Sequence, residues 1–263
     1  MILISNDDGP ASPGLHALIQ ELSSLEKVSF SIPERQRSGA SMSITFHKPL
    51  RIRRLKIKGV NGYVISGSPV DAILMAFLKL FDERPKVVVS GINIGDNTGL
   101  QDIYASGTVA AAIQASLMGI PALAFSMEIG EKFVFSAGKV PGNFIKAAKI
   151  ARTIVEYVIE NGLPENVDLL NVNFPFKLNR NTPVVITWPA PTKYDNFVIE
   201  RIDPRGKPYY WIWGRRLAMY PKGSDAYALF NLRAISITPL TIDLCIRKVE
   251  LNELVERVKA SIL

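Results

Sequence analysis

The chain has 263 residues but only one cysteine and two histidines. With Cys245 alone there is no intrachain disulfide, no CxxC pair and no thiolate zinc cluster. Cys245 lies in the apolar run TIDLCI and reads as a small core residue. His16, in the first predicted helix, and His47, in a β-like run, read as structural or exposed side chains, and two histidines exclude a histidine-rich metal centre. Neither GxGxxG nor GxxxxGK[ST] occurs, so dinucleotide and Walker-type phosphate loops lack their motif. GxSxG is absent too, and no DxD follows the first strand. No apolar stretch approaches the roughly 18–20 residues of a membrane span. Asp7 and Asp8 appear before any cleavable apolar region. A soluble cytoplasmic protein is the expectation.

Hydrophobic residues make up 48% and charged residues 21%, which fits a globular chain with ample core for one large domain or a domain plus an appendage. The net charge of +7 suits an anionic ligand such as a phosphate ester, a nucleotide or nucleic acid. The densest basic cluster, Arg51, Arg53, Arg54, Lys56 and Lys58, alternates along the chain and reads first as the solvated face of a strand.

The apolar run Met1 to Ile4 predicts a buried strand, stopped by Gly9, Pro10 and Pro13. Leu15, Leu18, Ile19 and Leu22 predict a helix, and Lys27 to Ile32 a second strand. A polar loop, PERQRSGASMS, runs from Pro33 to Ser43, and Ile44 to Ile57 is β-like. Asn61-Gly62 predicts a hairpin turn before Tyr63 to Ile65. Ser68, Pro69 and Asp71 predict a capped helix start, with a buried helix over Val70 to Phe81. Lys86 to Ser90 is a buried strand, Gly91 to Gly107 a long loop, and Thr108 to Met118 a small-residue helix ended by Gly119. Pro121 to Ser126, Asn143 to Glu160 and Val167 to Asn173 predict strand, helix and strand.

This alternation predicts an α/β fold, a three-layer α/β/α sandwich with a mostly parallel sheet over 1–180. Short aromatic β-like runs over 181–246 (PVVITW, YDNFVIER, KPYYWIW, RAISITPL) predict a β-rich hairpin extension of two hairpins, a candidate for pairing with another subunit. Leu251, Leu254, Val255, Val258 and Ile262 predict a C-terminal helix over 247–263 that packs back on the core.

Successive parallel strands bring three loops to one edge, carrying Asp7 and Asp8, Ser38, and Asn93 with Asn97. Asp-Asp-Gly alone is equally an ordinary turn. Adjacent carboxylates, however, stay ionised cheaply only beside a cation or strong donors. Carboxylates, a hydroxyl and amide carbonyls suit Mg²⁺, Mn²⁺ or Ca²⁺ rather than zinc. Ser106, Gly107 and Thr108 open the helix after the SGIN loop and offer N–H groups and hydroxyls to a phosphate.

SNDDG, ERQRSGAS, GSP at Gly67 to Pro69, VVVSGINIGDN, SGTVAAA, DPRGKPYYW and SITPL follow one another along nearly the whole chain. In that order they resemble the survival protein E (SurE) family. The resemblance implies a Rossmann-like core, with a C-terminal extension exchanged in a homodimer and dimers paired in some members into tetramers. It implies a nucleotidase that uses one divalent metal, Mg or Mn, to hydrolyse nucleoside 5′- and 3′-monophosphates, in some members short polyphosphate too. The metal ligands it implies are Asp7, Asp8, Ser38 and Asn93. No membrane and no specific nucleic acid are expected as partners. Three positions differ from the family's pattern: Glu34 replaces a frequent aspartate, Asp96 adds a negative charge near the site, and Ala105 separates Tyr104 from SGT.

The chemistry expected is metal-assisted attack of water on a phosphomonoester, with Asp7 or Asp8 handling the water and Asn97, Ser106, Gly107 and Thr108 holding the phosphoryl oxygens. A covalent aspartyl-phosphate is the competing route. A non-catalytic nucleotide or nucleic-acid binder is the alternative function, motivated by the +7 charge.

Overall fold

The computed structural model describes residues 1–130, 143–246 and 250–261. Its centre is a nine-stranded sheet ordered β3-β4-β2-β1-β5-β6-β7-β11-β8. The strands are β1 (Ile2–Ser5), β2 (Val28–Pro33), β3 (Ile52–Ile57), β4 (Val60–Ile65), β5 (Val87–Ile94), β6 (Ala122–Met127), β7 (Leu169–Phe174), β8 (Val184–Ile186) and β11 (Ile235–Leu240). Six of them, β4, β2, β1, β5, β6 and β7, run parallel. β3 and β11 pair antiparallel to β4 and β7. β9 (Tyr194–Ile202) and β10 (Pro208–Arg216) form a separate antiparallel hairpin. The expected three-layer α/β architecture is present.

The layers follow from alternation along β1. Ile2 and Ile4 join the apolar cluster under α1 (Pro13–Leu22) and α5 (Phe144–Asn161), whereas Leu3 joins the cluster under α2 (Pro69–Met75) and α4 (Gly107–Leu117). Leu15, Leu18, Ile19 and Leu22 of α1 have no exposed surface, and each contributes about 1.5–3 kcal/mol by burial. Ser12 caps α1, its hydroxyl oxygen accepting from Leu15 N at 3.3 Å. A side chain at Gly14 would meet the Ile92 carbonyl at 1.9 Å, so this glycine lets α1 sit directly on β5.

Several sequence expectations change. The hairpin turn is Lys58-Gly59, both with positive φ (46° and 87°), and Asn61-Gly62 lies inside β4. Gly62 is a packing requirement instead, since a Cβ there would stand 2.5 Å from the Phe30 ring. Only 52–57 of the β-like run is a strand. Its first part is held by α2: Asp71 accepts from Thr45 N (2.9 Å) and Thr45 Oγ1 (2.6 Å), and Ser68 Oγ donates to Ser43 O (2.6 Å). His47 therefore lies in an exposed non-strand segment. The capping box at Ser68 and Asp71 is present, and the helix passes through a π turn (Ala76–Leu80). The expected loop over 91–107 holds the end of β5 and a short helix, α3 (Gly99–Ala105).

The expected extension is narrower than 181–246, because β8 and β11 complete the nine-stranded sheet and only β9 and β10 stand apart. A short helix, α6 (Asp225–Phe230), links β10 to β11. The last helix, α7 (Asn252–Ala260), buries none of its residues and does not pack on the core; Leu254 and Val255 are 55% and 47% exposed. Residues 247–249 and 262–263 of that expected element, Ile262 among them, lie outside the described residues. Cys245 is exposed, not a core residue. No helix among the described residues is long and apolar enough to cross a membrane.

Candidate active site

The chain leaves β1 for β2 and β4 on one side, then returns through β5, β6 and β7 on the other. The sheet therefore reverses its order between β1 and β5, and in open α/β sheets ligands bind outside the carboxyl ends of the strands at such a switch. Asp7 and Asp8 follow β1 at this place, and Asn93 is the penultimate residue of β5.

The Asn6 to Gly9 turn is closed on itself. Asn6 Nδ2 donates to Gly9 O at 2.9 Å, and Gly9 N donates to Asn6 Oδ1 at 3.3 Å. Asp7, 4% exposed, turns towards α4, where its Oδ1 accepts from the Thr108 hydroxyl. Burial pushes the Asp7 carboxyl up, opposed by the hydroxyl and backbone N–H of Thr108. Asp8 Oδ2 accepts from Ile94 N at 3.1 Å. Burial, followed by the charge of Asp7, raises Asp8 to about 7, against hydrogen bonds from Ile94 N and the Ser12 hydroxyl. The two carboxylates are thus hydrogen-bonded by neutral donors.

Gly107 makes the close approach of α4 possible. A Cβ there would stand 2.8 Å from Asp7 Cβ and 3.0 Å from Pro69 Cγ. Ser106 caps the helix, its Oγ accepting from Val109 N at 3.1 Å. Asn93 donates its Nδ2 to Gly95 O at 2.8 Å, so its carbonyl oxygen is the group offered to a ligand. Ser38 is exposed on the 33–43 loop and accepts from Gln36 Nε2 at 2.9 Å. That loop is pinned to the site on both sides of Ser38: Arg37 N donates to Asp7 O at 2.7 Å, and Ser41 N donates to Ala105 O at 3.0 Å.

Comparison with known proteins gives the same assembly a family. A family model described as Survival protein SurE matches residues 2–196. The chain belongs to the SurE family. "5'-nucleotidase SurE" of Methanocella arvoryzae is 40% identical over 258 residues, covering 97% of each chain. The protein of that name from Hyperthermus butylicus is 42% identical over 262 residues, covering 99% of this chain and 92% of the relative. The crystal structure of the SurE protein from Aquifex aeolicus superposes with a TM-score of 0.80 at 34% identity, covering 98% of this chain and 99% of that one.

In this SurE-family chain Asn97, a predicted site residue, and Asp96, a departure from the family's pattern, are both tied to other parts of the protein. Asn97 is 6% exposed and committed to the protein: its N–H donates to Asn173 Oδ1 (2.7 Å), its Nδ2 to Ser126 Oγ (2.7 Å), and its carbonyl accepts from Asn171 Nδ2 (2.8 Å). Its backbone anchors the segment after β5, and Ser126 takes one of its two side-chain amide hydrogens. Asp96 adds no unbalanced charge, because Lys193 Nζ lies 2.5 Å from its Oδ1 and Thr98 Oγ1 donates to the same oxygen at 2.6 Å. Burial alone would raise Asp96; the ammonium and these hydrogen bonds hold it below its ordinary value.

Sequence reasoning missed Ser12 and Ile94 N, which hold Asp8, and Lys193, which lies outside every motif. His16 is structural, as read from sequence: its Nε2 lies 2.8 Å from Pro10 O and steadies the turn after the aspartates. Among the described residues no cluster of three or more His, Cys, Asp or Glu exists to hold a metal. Hard oxygen groups are present on the turn after β1, at the end of β5 and on the 33–43 loop, at Asp7, Asp8, Asn93 and Ser38; as a class such groups suit Mg²⁺ or Mn²⁺ rather than zinc.

Proposed function

We propose that the protein is a divalent-metal-dependent phosphomonoesterase that hydrolyses nucleoside 5′-monophosphates to nucleoside and phosphate, with 3′-monophosphates and short polyphosphate as further substrates. One observation carries this reading. A buried and a half-buried carboxylate, adjacent in the chain, meet a helix N-terminus at the switch point of the sheet, with neutral hydrogen-bond donors around them. Relatives at about 40% identity over nearly the full chain carry the name 5'-nucleotidase.

Asp7, Asp8, the Asn93 carbonyl oxygen and the Ser38 hydroxyl would hold one Mg²⁺ or Mn²⁺. When bound, such an ion neutralises phosphoryl charge and lowers the pKa of a water. Asp7 accepts from Thr108 through Oδ1 and so serves as the fixed carboxylate. Asp8 is the less buried of the two, so it is the one that orients the attacking water and takes its proton. The Thr108 hydroxyl donates its hydrogen bond to Asp7, which leaves the Gly107 N–H and the Ser106 hydroxyl as the α4 donors to phosphoryl oxygens.

The hairpin supports a homodimer, with a tetramer as the paired form. Tyr209, Trp211 and Trp213 on one face of β10, and Tyr210 and Ile212 on the other, are all at least 43% exposed, so both faces of this strand present apolar and aromatic surface to water. Exchange of the hairpin with a second copy would cover it.

A panel of nucleoside 5′- and 3′-monophosphates, tripolyphosphate and an aryl phosphate, assayed for phosphate release with and without EDTA, tests the catalytic reading. Release that depends on metal supports it. Salt-sensitive nucleotide binding with no release under Mg²⁺ or Mn²⁺ supports the non-catalytic binder instead.

A further inference from the structure

Lys193 is among the largest fully buried side chains of the protein, at 0% exposure. It stands at the root of the hairpin, one residue before β9. Its Nζ contacts Asp96 Oδ1 at 2.5 Å and also Asp102 Oδ2, and the rings of Tyr194 and Phe230 lie 4.9 and 5.5 Å from it. A lysine taken wholly out of water keeps its charge only where opposite charges meet it at once. Both carboxylates come from one short segment, the last loop of β5 and the helix α3.

That segment needs an external hold. Within α3 only Gly99 and Ile103 are buried, so apolar packing fixes it weakly. Polar contacts from the hairpin root take over. Gln101 Oε1 accepts from Lys193 N (2.8 Å) and Tyr194 N (3.0 Å), and Leu100 N donates to Ala190 O (2.9 Å). Asp225 bridges Gly99 N and Ala190 N, both at 2.8 Å. The returning strand of the hairpin closes on the same residue, with Leu217 N donating to Lys193 O at 3.1 Å.

The two clamped carboxylates flank the chemistry. Asp96 lies three residues after Asn93, and Asp102 lies four residues before Ser106. We propose that Lys193 is a positioning residue for hydrolysis: by clamping Asp96 and Asp102 from the hairpin root, it fixes the spacing between Asn93 and the Ser106 to Thr108 turn. The proposal rests on the hydrolase reading for its effect on turnover. Its structural part, a segment held by the hairpin root, stands separately. It also makes the hairpin part of the active-site scaffold, because the lysine belongs to the stem on which β9 and β10 are built.

The test compares the full-length wild type with Lys193→Met and Lys193→Arg. Hydrogen–deuterium exchange is measured over peptides from 91 to 107, together with the Mn²⁺ dissociation constant and the kcat and KM for a nucleoside 5′-monophosphate. In Lys193→Met the 93–106 peptides should exchange faster while those of β1 and β2 keep their protection. Mn²⁺ binding should weaken, and kcat should fall about tenfold or more, since small misplacements cost this much. Lys193→Arg keeps the charge but not the compact ammonium geometry, and should fall between the two. If Lys193→Met does not fold, the triple variant K193M/D96N/D102N, which leaves no carboxylate unpaired, is read by the same criteria. A folded variant with wild-type exchange over 93–106 and wild-type Mn²⁺ affinity would overturn the proposal. Absence of phosphate release from the wild type would remove the hydrolase reading alone, because exchange reports the clamp without turnover.

Discussion

The Thr108 hydroxyl donates to Asp7 Oδ1 across 101 residues of chain, joining the first strand's carboxylate to the first turn of α4. Thr108 has no exposed surface and Asp7 almost none, so the bond is made in a dry environment. Replacing Thr108 by valine keeps the volume and removes the donor. Unfolding in urea should show a loss of about 1.5–3 kcal/mol, the range for a hydrogen bond to a charged group. Turnover should fall with it, and Thr108→Ser should recover most of both. A valine variant as stable and as active as the wild type would show that the bond does not hold the site.

The metal-free protein should become less stable as pH rises from about 4 to about 7. Asp8 titrates at about 7 in the fold, above its ordinary carboxyl value of 3.8, chiefly through burial and then the charge of Asp7. The folded state therefore binds this proton more tightly than the unfolded chain, and the advantage is lost as pH climbs through that window. Asp102, raised to about 6 mainly by burial, adds a smaller loss of the same sign over a narrower range of pH. Mn²⁺ competes with the proton on Asp8, so the rise in Tm on adding Mn²⁺ should grow across the window and level off above pH 7. Thermal melts of dialysed protein at several pH values check this; a gain in Tm independent of pH would contradict it.

Light scattering on wild type and Ile212→Asp tests the hairpin. Ile212 is 83% exposed and pairs directly with Val198, itself 61% exposed. Wild type should run as a dimer or larger, and the variant should shift towards the 29.0 kDa monomer. A monomeric wild type would contradict the pairing proposal.

What could be read from sequence was local. The strand before Asp7 and the turn around it, the α1 stripe and the Ser68 capping box are each written within a dozen residues, and the structure has all of them. Asn61-Gly62 misled because glycine has two uses: here it makes room for Phe30, while Lys58-Gly59 adopts the positive φ of the turn. The place of β11 beside β7 depends on pairing across more than sixty residues, as in Ser236 with Asn173, and no periodicity encodes that. Nor does an apolar stripe name its partner, which is why α7 was expected on the core and lies off it. At the candidate site, Asn93 is expected in a loop and lies in β5, whereas the place of Asp7 and Asp8 just after β1 was legible. The burial of Asn97 among Asn171, Asn173 and Ser126 was not, and neither was Lys193, ninety-seven residues from Asp96.

The central claim, a cation and phosphate site built on the aspartate pair, is tested most directly by one assay. Phosphate release from a nucleoside 5′-monophosphate is followed in EDTA and again after excess Mn²⁺, for wild type and for Asp8→Asn. Wild type should be silent in EDTA and recover fully with Mn²⁺. The asparagine variant, folded by its melting curve, should stay at least about 100-fold slower with Mn²⁺ present. Release by wild type that ignores EDTA, or Asp8→Asn turning over at the wild-type rate, would contradict the account.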